Sequence, residues 1–162
     1  MSKAEDRLIE LGWEKFETAL SVSFSKEYRL PGSEHWHCID VLFFFDTKRM
    51  YVGRCDDADD ECVLLLNRDD IDAFLMYCDE LGWMDSSTRL LERFGWEKHP
   101  IYPEKAFINY GEDMVTRVDF EKDQTTGMPC IKVDSHDEAC FYCGTSFSIA
   151  EMLDIREKME EK

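Results

Sequence analysis

The stretch Leu11-Gly12-Trp13-Glu14-Lys15 returns as Phe94-Gly95-Trp96-Glu97-Lys98, each time at the end of a short amphipathic run. Glycine stops a helix by entering the left-handed conformation, and tryptophan is large, apolar and carries one donor. The pair therefore predicts a helix stop pinned against a sheet. A third pair, Gly82-Trp83 after Leu81, closes another helical pattern just before the second copy begins. The recurrence points to one unit used twice.

The remaining patterns follow that frame. Ser2 with Glu5 is a capping box, and Ala4, Leu8 and Leu11 recur at helical spacing, so a helix is expected over about 3–11. Leu20, Val22 and Phe24 alternate with Ser21, Ser23 and Ser25, the period of a half-buried strand. From Cys38 to Phe45 both faces are apolar apart from Asp40, as in a central strand. Asp46-Thr47-Lys48 turns the chain, residues 50–54 return it, and 62–66 form a short strand. Asn67 caps a helix that carries Asp69, Asp70 and Asp72 near its positive end and Ile71, Phe74, Leu75, Cys78 and Leu81 on one face. In the second half Asp85 caps a helix ending at Phe94, and strands are expected over 106–110, 114–121, 128–133 and 139–143. Ser148 with Glu151 opens the last helix, set by Ile149, Met152, Leu153, Arg156 and Met159.

The expected fold is α+β: a tandem duplication of a helix, four-stranded antiparallel sheet and helix, with units 1–85 and 86–162 packed as one compact domain or as two lobes. Gly12 and Gly95 are 83 residues apart, and aligning Ile71 with Ile149 gives 78. In that register Cys62 falls on Cys140 and Leu65 on Cys143.

With 162 residues, 44% of them hydrophobic, the chain can bury an ordinary core. No apolar run approaches the roughly 20 residues of a membrane span. The start, Met1-Ser2-Lys3-Ala4-Glu5-Asp6, carries no apolar signal region, so a cytoplasmic protein with seven reduced cysteines is expected. Charge excludes more. A net −17 disfavours direct binding to nucleic acid, a polyanion held mainly by Lys and Arg, and leaves a basic partner open. Residues 1–85 hold 20 acids and 9 bases against 16 and 10 in the remainder, so the first half is the more acidic.

Three clusters offer site chemistry. Cys130, His136, Cys140 and Cys143 contain a Cys-x-x-Cys pair and four ligands of the type tetrahedral zinc takes. The internal alignment weakens that set by placing two of its cysteines on Cys62 and Leu65 of an apolar strand, and no metal or other cofactor is expected. His35-Trp36-His37-Cys38 lacks a third ligand nearby. Asp56-Asp57-Ala58-Asp59-Asp60-Glu61 lacks the turn glycine and the terminal glutamate of an EF-hand loop. Phosphate loops, nucleophile elbows and His-Glu-x-x-His are absent from the sequence.

The short helix ending Leu11-Gly12-Trp13-Glu14-Lys15, the apolar hairpin from Ile39 to Val52 and the closing helix from Ile71 to Trp83 resemble small acidic phage and prophage accessory proteins of unassigned function. The likeness is close over 4–84 and loose over 88–160. It implies a mobile-element protein acting inside a bacterium and transfers no catalytic residue. Charge and resemblance together lead to the expectation of a non-enzymatic inhibitor. It docks on a basic nucleic-acid-binding defence enzyme, in the manner of anti-CRISPR or anti-restriction proteins, without contacting nucleic acid or membrane itself. The expected partner-binding residues are Asp56, Asp57, Asp59, Asp60 and Glu61, then Asp69, Asp70, Asp72, Asp79 and Glu80. The alternatives are a sensor or sponge holding a small ligand between the two copies, and a zinc-binding regulator using the His/Cys cluster.

Overall fold

The computed structural model describes residues 2–28, 37–54, 64–83, 95–110, 115–123, 126–136, 141–142 and 144–160. In chain order the elements are α1 (Lys3–Glu10), β1 (Glu14–Glu17), β2 (Ser21–Tyr28), β3 (His37–Phe44), β4 (Arg49–Arg54), β5 (Leu64–Asn67) and α2 (Arg68–Glu80). They continue with β6 (Trp96–Lys98), β7 (Ala106–Tyr110), β8 (Val115–Lys122), β9 (Pro129–His136), β10 (Phe141–Tyr142), β11 (Gly144–Ser148) and α3 (Ile149–Glu160). The protein is α+β, with two antiparallel sheets and, among the described residues, three helices. The helix expected over 85–94 and the strand residues 62 and 63 lie outside the described residues.

Capping chemistry sets the helix ends at the positions expected from the sequence. Ser2 Oγ accepts from the Glu5 amide while the Glu5 carboxylate accepts from the Ser2 amide, and Asn67 and Asp70 do the same for α2. Ser148 and Glu151 repeat the exchange at the start of α3. Both later caps are the last residue of a strand, so β5 and β11 pass into their helices without a loop. At the other ends Gly12 and Gly82 adopt φ of 95° and 74°. Each tryptophan amide that follows reaches back to a helical carbonyl, Trp13 to Leu8 and Trp83 to Cys78, at 3.0 Å. That six-to-one bond with a left-handed glycine is the Schellman stop.

The sheets do not follow the midpoint of the chain. The first has the order β1-β2-β3-β4-β11, and the second β10-β9-β8-β7-β6 with β5 also on β9. β5 comes from the first half and completes the second sheet, while β11 comes from the second half and completes the first. One row of partners crosses the first sheet as Lys15, Phe24, Val41, Val52 and Thr145. The matching row in the second is Lys98, Phe107, Val118, Val133 and Leu64. Three strands are absent from the sequence-based expectation. β1 and β6 are short and charged, and β11, Gly-Thr-Ser-Phe-Ser, has one large apolar residue; its pairing depends on β4, far away in the chain.

The core lies between the helices and the inner faces of the sheets. Phe24 and Phe43 of the first sheet meet Phe74 and Tyr77 of α2, with ring centroids 5.0 to 6.0 Å apart. Phe107, Val118, Phe120, Ile131 and Val133 line the second sheet, and Met152, Ile155 and Met159 of α3 belong to the same core. Each such side chain contributes about 1.5–3 kcal/mol on burial. α1 and α2 run in opposite senses: the Ala4 amide donates to Glu80 at one end, at 3.1 Å, and Arg7 lies 3.6 Å from Asp69 at the other. Among the described residues, no helix is long and apolar enough to cross a membrane.

Candidate functional site

Two of the five α2 acids expected to bind a partner are held by the fold. Asp70 is 3% exposed. Its carboxylate accepts the Trp13 indole N–H at 2.8 Å and the Asn67 amide at 3.2 Å, and Lys26 Nζ lies 3.4 Å away over the Trp13 ring. Burial of this charge is tolerated because every side is met by a donor. Asp70 is therefore a structural residue that no docking partner reaches. Asp72 is exposed but bonded to Arg156 of α3 through both guanidinium Nε and Nη2, and the pair raises the arginine pKa above its ordinary value. The capping spacing from Asn67 to Asp70 is the sequence signal that marks Asp70 as structural.

The other three α2 acids remain at the surface. Asp69 is half-buried between Arg7 and Arg68. Asp79 and Glu80 are exposed in the last turn of α2, which contains no basic residue. Carboxylates there face the negative end of the helix dipole, at a cost of about 0.3–1 kcal/mol each. Glu80 offsets this by accepting from the start of α1. No such partner meets Asp79 among the described residues. The acidic loop Asp56, Asp57, Asp59, Asp60 and Glu61 lies outside the described residues.

Of the His/Cys set, Cys130 and His136 lie on β9, six residues apart. Cys130 is a free thiol buried in β9, and burial pushes its pKa up to about 11, with Glu121 and Asp123 adding to the effect. A thiol so raised is a poor metal ligand and nucleophile. His136 ends β9, while His35, Cys140 and Cys143 lie outside the described residues. Among the described residues, no group of three or more His, Cys, Asp or Glu is arranged to hold a metal ion. The expectation of seven reduced thiols needs correcting at Cys38, which is disulfide-bonded.

The second half repeats the buried carboxylate. Trp96 Nε1 donates to Glu151 Oε2 at 2.6 Å, and Arg49 lies 3.6 Å from Glu151 Oε1. Asp154, 2% exposed, pairs with Lys158 one turn on at 3.2 Å, and that ammonium sits over the Phe107 ring. These carboxylates lie inside, so the acidic surface is smaller than the formal charge suggests. The chain matches no protein-family model and no curated protein.

Proposed function

We propose that the protein is a non-enzymatic accessory protein of a phage or other mobile element that docks its acidic surface on the basic nucleic-acid groove of a host defence enzyme. The observation that carries this is Asp79: an exposed carboxylate at the unfavourable end of α2, beside Glu80, on a chain of net charge −17. Helix stability does not explain an acid at that position, whereas complementarity to a cationic groove does. Carboxylates displayed this way compete with phosphate for the same Lys and Arg and steer association. The test is capture of the partner from the bacterial host by a tagged chain with Asp56, Asp57, Asp59 and Asp60 changed to Lys, beside a second chain carrying Asp79→Lys. Capture is expected to fall in both with the thermal midpoint unchanged; undiminished capture by both would show that the acids do not dock.

The same proposal includes a tandem duplication whose copies exchange their last strand. Supporting it are the two matched rows of strand partners, the Trp13–Asp70 and Trp96–Glu151 bonds, and two capping boxes at equal offset: Asn67 to Ser148 and Asp70 to Glu151 are each 81 residues apart. That offset sets Ile71 against Met152 and Cys62 against Cys143, three residues from the register suggested by aligning Ile71 with Ile149.

A further inference from the structure

Strand register divides the first sheet into two faces of opposite character. The inner face is sealed by α2, whereas the outer face carries a row Phe16, Ser23, Leu42, Tyr51 and Ser146 across all five strands. At strand spacing this row is about 20 Å wide. Phe16 is 51% exposed and Leu42 and Tyr51 are half-buried. Next to it runs a second row, Glu14, Ser25, Asp40, Gly53 and Gly144. Paired Gly53 and Gly144 leave that row without side chains at its β4 and β11 end. The Tyr51 ring lies in the space, since a Cβ added at Gly53 would collide with it. An aromatic ring laid along the sheet therefore borders Asp40, whose carboxylate receives only the Ser25 hydroxyl among the described residues.

The acids of this face, Glu14, Glu27 and Asp40, have no cation within reach among the described residues. Its one base there, Arg49, is already bonded to Ser146, through Nε at 2.8 Å and Nη2 at 2.9 Å. The outer face of the second sheet differs. There Arg117 meets Asp119 at 2.6 Å and Lys132 meets Glu121 at 2.8 Å, so two of its acids already have a cation. An apolar aromatic strip rimmed by unneutralised carboxylates has the make-up of an interface centre whose partner is cationic.

We propose that the outer face of the first sheet is the docking surface for an arginine-bearing protein segment, with a guanidinium stacked on Tyr51 and paired with Asp40, and Phe16 and Leu42 covering its aliphatic stem. Arginine is preferred to lysine because its planar cation stacks on a ring while donating in plane to a carboxylate, which a compact ammonium does not do. The inference rests on the reading that the protein binds a basic partner, and it adds a place on the sheet to the acids of the helical layer.

The test titrates the isotope-labelled full chain with nona-arginine and with nona-lysine, following backbone amides by NMR. Arginine peptide is expected to shift Ser23, Leu42, Tyr51 and Ser146 and to bind more tightly than lysine peptide. Asp40→Asn and Phe16→Ser are each expected to weaken it about tenfold, with thermal midpoints near the parent's. Phe16→Ser lies on an edge strand and away from Gly53, so it keeps the test valid if Asp40→Asn fails to fold. Shifts confined to α1, α2 and α3 would overturn the sheet proposal and leave acidic docking standing; no binding of either peptide would overturn both. Equal affinity for the two peptides, unchanged binding by both variants, or the same sheet amides moving on dilution of the chain alone or on addition of oligothymidylate would each overturn the arginine site.

Discussion

Trp13 and Trp96 each give an indole proton to a carboxylate inside the protein, and those carboxylates also cap α2 and α3. Replacing Trp13 by Phe keeps most of the packing on Phe74 and removes the donor, leaving Asp70 short of a partner. A loss of about 1–3 kcal/mol is expected, read as a lower urea midpoint. Lys15 donates to Glu5, and this bond holds the Glu5 carboxyl below its ordinary pKa and raises that of Lys15. A carboxyl that is more acidic folded than unfolded contributes stability above its unfolded pKa and loses it as pH falls through the folded one. Glu5→Gln is therefore expected to be less stable than the parent at neutral pH and to converge with it in strong acid, measured as urea midpoints at both. Burial pushes the Cys78 thiol up to about 12, and Cys130 behaves alike. Iodoacetamide at neutral pH is expected to label both slowly in the folded protein and rapidly in denaturant, by peptide mass mapping.

At the scale of the element, the Gly-Trp stops separate backbone cost from packing cost. Gly82 has positive φ with no atom within 4 Å of an added Cβ, and Gly12 has positive φ with only the end of Lys26 at 3.7 Å. Gly12→Ala and Gly82→Ala are both expected to lose about 1–2 kcal/mol, the cost of a left-handed side chain, in chemical denaturation. The caps and stops are legible in the sequence because a helix end is a local object: donors and acceptors within a few residues decide it. β11 is not legible there, for the opposite reason. Its five residues hold little local preference, and hydrogen bonds to β4 make it a strand.

The whole molecule is tied together by strands that cross the midpoint of the chain. Phe147 of β11 is fully buried, lies opposite Met50 in the first sheet, and stacks on Trp96 at 6.0 Å. Phe147→Ala is expected to cost about 3–5 kcal/mol and to lower hydrogen-exchange protection of β4 amides, far away in the chain. If the halves were independent lobes, protection would fall only in the second. The same crossing positions α2 and α3, since each helix is led by a strand of the sheet built mainly from the other half, and the two meet at Asp72 and Arg156.

By itself the sequence determined the α+β class, the starts of α1, α2 and α3, the glycine stops at Gly12 and Gly82, and a net charge of −17, because composition and short-range hydrogen bonding decide these. Only the tertiary structure decided which acids reach the surface. Asp70 carries the same charge as Asp79 in the sequence, yet one is enclosed by Trp13, Lys26 and Asn67 and the other faces solvent. It also decided that β5 and β11 each join the sheet built mainly from the other half of the chain, and that Asp40 and Tyr51 share one face. Register and burial are set by contacts between segments distant in the chain, and no local pattern encodes them. Gly-Trp remains the link between the two levels: glycine ends the helix locally, and tryptophan then finds its carboxylate across the fold.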